Sequence, residues 1–268
     1  MITCCILIIF NIILLFVTSF DVHSVTKTHI LTQAAKVKET LPKLEVVPPP
    51  SSQLSFSSCY QRPNGPRGFC NWLIPGRIMI GQYPGKTPEK YSASKRESKN
   101  HIDKMVQDAN IRVFCCLQDE IPPQDDFATW NFFNGNYKDF SHYGTIAKNA
   151  LSSSSEEITF LHTGITDLST PDSSSLNLLL CQILDEVLNE RNVYIHCWGG
   201  RGRAGTIGAI LLGLLYPELE SMDCLNWVQR AYDTREGANT MPVVLQKSPQ
   251  TSDQRDFVHK FISDIRHE

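Results

Sequence analysis

The 268 residues carry 25 Lys and Arg against 28 Asp and Glu, with pI near 6.2, so no basic surplus marks a nucleic-acid binder. Hydrophobic residues at 41% and charged residues at 20% exclude a disordered chain and allow one large folded domain. Nine cysteines are an odd count with no Cys-x-x-Cys pair, so neither a disulfide framework nor a zinc site is expected, and a reduced, mostly buried set of thiols is.

Residues 4–17 are apolar apart from Asn11, a length suited to a signal-peptide core, and 2–20 stretches to a marginal membrane span. No Lys or Arg precedes the run, whereas Lys27, Lys36, Lys38 and Lys43 follow it. Uncleaved, the segment would leave the long C-terminal part cytosolic; cleaved near Thr18-Ser19, it would send the rest along the secretory route. Residues 1–20 are therefore read as a signal peptide or signal anchor, implying membrane association through 2–20 or secretory or organelle targeting. Residues 21–68, with Pro48-Pro49-Pro50, Ser51-Ser52 and Asn64-Gly65-Pro66, show no sustained strand or helix period and are read as a flexible linker or transit segment. The folded body is expected over 69–268.

A short strand is predicted at 77–81 between the turn signals Pro75-Gly76 and Pro84-Gly85. Ile102, Met105 and Val106 share one face of a helix over 97–109, and 111–117 is a strong strand. Cys115 and Cys116 read as core thiols, with a redox partner for a reactive cysteine as the alternative. Residues 119–150 form a long irregular stretch rich in aromatics, either a substrate-recognition insert or a surface loop pinned by those rings. A strand at 158–162 is followed by an Asp- and Pro-bearing loop and a helix over 173–189.

Val193, Tyr194 and Ile195 then make a buried strand that breaks into Cys197-Trp198-Gly199-Gly200-Arg201-Gly202-Arg203 and re-enters an apolar helix over 204–216. Strand, glycine loop and helix N-terminus form an anion cradle: backbone N–H groups and the positive end of the helix dipole converge on one point. A cysteine at its floor is pushed toward thiolate, and an arginine closing it supplies a planar fork for two phosphate oxygens. Trp198, Gly199, Gly200, Arg201, Gly202 and Arg203 are therefore the candidate phosphate-binding residues, and a further helix is predicted over 221–232. A thiolate acting on a phosphate ester needs an acid for the departing oxygen, and a carboxylate on the loop before helix 173–189 would face the same pocket. Thr251-x-x-Gln254 has the spacing of a capping box opening a last helix.

His196-Cys197-x5-Arg203, behind a strand, resembles the signature of the protein tyrosine and dual-specificity phosphatases. That resemblance implies an α/β fold with a central, mostly parallel sheet flanked by helices. It also implies Cys197 as nucleophile through a phosphocysteine intermediate, Arg203 as phosphoryl clamp, His196 as a supporting residue, and no metal or organic cofactor. Residues 165–172 resemble the acid loop of the kinase-associated phosphatase group, whose first Asp is the acid, so Asp167 takes that role. Asp172 is read as the following helix's N-cap, and as the alternative acid. Residues 249–257 resemble the glutamine loop of the tyrosine phosphatases, which assigns water positioning to Gln250, with Gln254 as second choice.

Two residues depart from the pattern. Ala204 stands where the family has Ser or Thr to stabilise the departing thiolate, a feature shared with the plant glucan phosphatases. Arg201 is a second cation where phosphoinositide phosphatases carry Lys, and favours an acidic or multiply phosphorylated substrate unless it points to solvent. The expected activity is hydrolysis of phosphomonoesters of phosphoproteins. The alternatives are a phosphoinositide or phosphoglucan phosphatase and a low-activity phosphate-recognition module. A thiolate nucleophile implies a reducing compartment.

Overall fold

The computed structural model describes residues 26–41, 70–88, 94–153, 155–235, 238, 242, 243 and 246–266. In chain order these form α1 (Lys27–Thr40), β1 (Cys70–Ile74), β2 (Ile78–Gly81), α2 (Lys95–Gln107), β3 (Ile111–Gln118) and α3 (Phe127–Phe132). There follow β4 (Asn136–Tyr137), β5 (Phe140–Ser141), α4 (Gly144–Asn149), β6 (Thr159–Ile165) and α5 (Ser173–Leu188). The chain closes with β7 (Asn192–His196), α6 (Arg203–Leu215), α7 (Ser221–Asp233) and α8 (Ser252–Arg266).

Five strands make one sheet in the order β1-β2-β7-β3-β6; β1 is antiparallel to β2, and β2, β7, β3 and β6 run parallel. The α/β fold with a mostly parallel sheet is as expected. A parallel sheet covered on both faces needs strands apolar on both sides, and β7 has them: Val193 and Ile195 enter one core while Tyr194 enters the other. β3 divides likewise, with Val113, Cys115 and Leu117 on the first face and Phe114 and Cys116 on the second. α1, α5, α6, α7 and α8 cover the first face, and α2 with the 119–150 segment covers the second. α6 lies at the centre with every one of its residues buried, as its unbroken apolar run predicts.

Three features differ from the sequence reading. β1 escaped because Asn71 and Trp72 blur its pattern; the Pro75-Gly76 turn folds it back on β2, with Gly76 at φ 67°. Residues 119–150 are two short helices and a two-stranded hairpin, pinned by the buried rings of Trp130, Phe140 and Tyr143. Within the expected linker, Thr26 caps α1, which buries Ile30, Ala34 and Val37 against the first face. Gln33 Nε2 donates to Asp185 Oδ1 of α5 at 2.5 Å, and Lys38 meets Glu218 at 2.7 Å. Docking on α5 and α6, rather than a strong periodic face of its own, holds that helix.

The expected targeting through the N-terminal hydrophobic segment is corrected. Among the described residues no helix is long and apolar enough to cross a membrane. Residues 1–20, on which that expectation rested, lie outside the described residues, as do 21–25 and 42–68 of the expected linker.

Candidate active site

β7 ends at His196, and the chain turns through residues 197–202 into α6 at Arg203. The turn is shaped by contact with the end of β2. Gly200 has φ 68°, and a Cβ there would lie 2.2 Å from the carbonyl carbon of Gly81, so only glycine fits. Tyr83 N donates to Trp198 O at 3.1 Å, tying the loop to the same strand end. Gly202 caps α6 without a side-chain hydrogen bond, so an anion could meet the amides at the helix start, apart from that of Gly205, which donates to Arg201 O at 3.1 Å. Cys197 sits at the floor, 3% exposed.

Arg203 is 1% exposed; both terminal nitrogens of its guanidinium are paired, and its buried Nε has no partner among the described residues. Nη1 donates to Glu120 Oε2 at 2.6 Å and to Ile165 O at 2.9 Å, and Nη2 donates to Glu120 Oε1 at 2.9 Å. Asp167 Oδ1 lies 3.0 Å from Nη2. Burial works against the charged guanidinium, but the hydrogen bonds to Glu120 and the charges of Cys197, Glu120 and Asp167 outweigh it and raise its pKa above the ordinary value. Glu120 was not anticipated. Its signal was present: it follows β3, whose C-terminal end runs parallel beside that of β7.

His196 is fully buried, and burial pushes its pKa down to about 3, so its ring is neutral. Its Nε2 lies 2.7 Å from the hydroxyl of Tyr143, contributed by the 119–150 segment. The same segment reaches the cradle where Phe140 meets the Trp198 ring edge-on at 5.2 Å. Cys116 pairs in register with His196, but burial pushes its thiol up to about 12, the behaviour of a packed core cysteine. A further buried cation, Arg235, was also missed. Its Nε donates to Asn71 Oδ1 and its Nη2 to Ile80 O at 3.2 Å, behind the strand on which the loop rests.

The two aspartates of the loop after β6 separate cleanly. Asp172 caps α5, accepting from Ser175 N at 3.0 Å, Ser174 N at 3.1 Å and the Ser174 hydroxyl at 2.7 Å. Those bonds, Ser175's foremost, hold its carboxyl well below the usual range, as a cap. Asp167 is the one that reaches Arg203. On the opposite wall, Arg201 Nε donates to Gln250 Oε1 at 3.2 Å, and Ser248 Oγ to Arg201 O at 2.9 Å. The Arg201 guanidinium folds back over the loop, its carbon 3.8 Å from where a Gly199 Cβ would be. Thr206, far from replacing a hydroxyl at Ala204, bonds back to Gly202 O at 3.0 Å.

The capping box at Thr251 and Gln254 is present. Thr251 Oγ1 accepts from Gln254 N at 3.1 Å, and Gln254 Oε1 accepts from Thr251 N at 3.2 Å. Among the described residues, no group of three or more His, Cys, Asp or Glu side chains is placed to hold a metal ion. The arrangement brings together a buried thiol, a clamped guanidinium, anion-facing amides and an exposed carboxylate. That chemistry suits phosphoryl groups.

Comparison with known proteins agrees with the geometry. Residues 67–258 match the family described as Swiss Army Knife protein, DSP-PTPase phosphatase domain (PTP-SAK). No curated protein matches the chain in sequence. Among solved structures, kinase associated phosphatase, with its catalytic-site cysteine substituted by serine, shares the fold at TM-score 0.50 and 16% identity, over 84% of this chain and 99% of that one. Tk-PTP in its active form aligns at TM-score 0.48 and 18% identity, over 72% of this chain and 96% of that one. PTPMT1 in complex with PI(5)P aligns at TM-score 0.47 and 15% identity, over 71% and 92%. With a family match running from before β1 into α8 and enclosing the whole cradle, the chain belongs to the DSP-PTPase phosphatase family.

Proposed function

We propose that the protein is a cysteine-dependent phosphatase that hydrolyses phosphomonoesters of phosphoproteins, phosphotyrosine and also phosphoserine and phosphothreonine. The observation that carries this reading is the convergence on Arg203. It closes the loop that Cys197 opens, and the Asp167 carboxylate stands 3.0 Å from its Nη2.

In the first step the Cys197 thiolate attacks phosphorus, the S–P bond forms, and the ester P–O bond breaks. Asp167 gives its proton to the departing oxygen. Arg203 and the amides of residues 198–203 hold the three phosphoryl oxygens as charge builds on them. In the second step Asp167, now a carboxylate, takes a proton from water positioned by Gln250. The oxygen bonds to phosphorus, the S–P bond breaks, and phosphate and the thiolate are released. His196, neutral and held by Tyr143, supports the loop from beneath through position rather than charge.

Arg201 supports a second reading on the same site. Its guanidinium over Gly199 adds positive charge at the mouth, which suits a phosphoinositide or another multiply phosphorylated substrate. The full chain is assayed with a chromogenic aryl phosphate and then with phosphopeptides, phosphoinositides and phosphorylated glucan. Turnover abolished by Cys197→Ser and highest on phosphopeptides is the expected result. Wild type no faster than Cys197→Ser would leave a phosphate-recognition module, the outcome to which Ala204 points. Preference for lipid or glucan would transfer the substrate assignment.

A further inference from the structure

Asp167 is 55% exposed, so packing does not hold it where a general acid must stand. It sits in a turn over residues 166–169, closed by Ser169 N donating to Thr166 O at 3.0 Å. The next residue, Leu168, is left-handed at φ 64° and half-exposed, a conformation that a branched side chain disfavours and that the surroundings must impose. At the start of the turn, Thr166 Oγ1 donates to Asp119 Oδ2 at 2.7 Å.

Its far side is gripped by the segment that opens α8. Gln254 Nε2 donates to Ser169 O at 3.1 Å, and Thr251 Oγ1 donates to Leu168 O at 3.3 Å. The Gln254 side chain is fully buried and faces two ways, its Oε1 accepting from Gln250 N at 3.0 Å as well as from Thr251 N. Both of its amide heavy atoms lie 3.3 Å from where a Cβ of Gly202 would be, so it also backs the phosphate loop.

We infer that Gln254 is a positioning residue that fixes the acid-bearing turn to the phosphate loop, holding Asp167 against Arg203 before substrate arrives. The inference rests on Asp167 being the acid, and it extends that reading to a residue whose carboxamide is taken up by Gln250 N, Thr251 N and Ser169 O. One buried carboxamide serves as the bridge: its oxygen completes the cap of α8, and its N–H group reaches across to the turn. Without that N–H group, the strained Leu168 relaxes and Asp167 leaves its station.

The test compares kcat/KM of the full chain on aryl phosphates with poor and good leaving groups, for wild type, Asp167→Asn, Gln254→Met and the double variant. A misplaced acid slows only departures that need a proton, and general-acid assistance is worth roughly a hundredfold or more. Gln254→Met is expected to lose about tenfold or more on phenyl phosphate, less than about threefold on an activated nitrophenyl ester, and nothing further in the Asp167→Asn background. Equal loss on both esters, or additive loss in the double variant, would overturn the inference. Absence of leaving-group selectivity in Asp167→Asn itself would instead remove the acid assignment beneath it. Should Gln254→Met not fold, Gln254→Glu keeps the capping acceptor and exchanges the donating amide for a second acceptor oxygen, with a negative charge added beside the phosphate loop. The ratio between the two esters then cancels any general weakening of phosphate binding, and the same selectivity is expected.

Discussion

The Arg203 guanidinium, the proposed phosphate clamp, hangs on Glu120, and Glu120→Gln tests that hold. The substitution keeps shape and one neutral acceptor but removes the charge that two guanidinium bonds, at 2.6 and 2.9 Å, depend on. Breaking a fully buried ion pair by removing one partner costs about 3–5 kcal/mol. Here Glu120 is 19% exposed, and Arg203 retains the carbonyl of Ile165 and the largely exposed Asp167, so we expect about 2–3 kcal/mol. In a domain of this size that lowers Tm by about 5–10 °C. Released from its carboxylate, the guanidinium fork also loses its orientation, and kcat/KM on an aryl phosphate is expected to fall about 10–100-fold. Urea unfolding and steady-state kinetics measure the two effects. Glu156→Gln is the control: it breaks the Arg112–Glu156 pair, 2.7 Å long with Glu156 43% exposed, and is expected to cost less than about 1 kcal/mol. If Glu120→Gln is as mild as that control, Arg203 is not held as described.

Asp172→Ala removes the α5 cap and is expected to cost about 1 kcal/mol in urea unfolding, with no change in leaving-group dependence; a selective loss on phenyl phosphate would move the acid to that position. Gly200→Ala places a Cβ against the Gly81 backbone at a left-handed φ, and should abolish phosphatase activity and lower Tm measurably, whereas a fully active variant would refute the loop contact. Ile30→Ala should destabilise the whole domain by about 2–3 kcal/mol in urea unfolding, and no change would mean that α1 adds nothing to the core. His196 has a folded pKa of about 3 against 6.5 for the free side chain, so between those values the unfolded state binds the proton and stability falls as pH falls. From pH 7 to pH 5 its share of the loss is about 2 kcal/mol, read as the difference in unfolding free energy between wild type and His196→Gln; equal pH dependence in the two would refute a buried neutral ring.

The division between what could be read from the chain and what could not follows physical range. His196, Cys197 and Arg203 are near neighbours along the chain, so strand, glycine loop and helix could be recognised from spacing alone. Asp172 as a cap and Thr251 with Gln254 as a capping box were equally legible, because capping is settled within four residues. The strands β3 and β7 announced themselves because a doubly covered sheet demands apolar residues on both faces, and the edge strand β6 through Phe160, Leu161 and the preceding Ile158. α1 did not, since its helicity comes from docking on α5 and α6. Asp167 was assigned from a local resemblance, yet its station beside Arg203 depends on a turn pinned from both sides. Glu120 carries no motif and acquires its place only because β3 and β7 run side by side. The cradle and its class of chemistry are readable from the chain because both reside in one continuous segment. What holds Arg203 and the turn bearing Asp167 is set by assembly: Glu120, Ile165 and Gln254 come from three other segments, and their hydrogen bonds exist only once the sheet and α8 have come together.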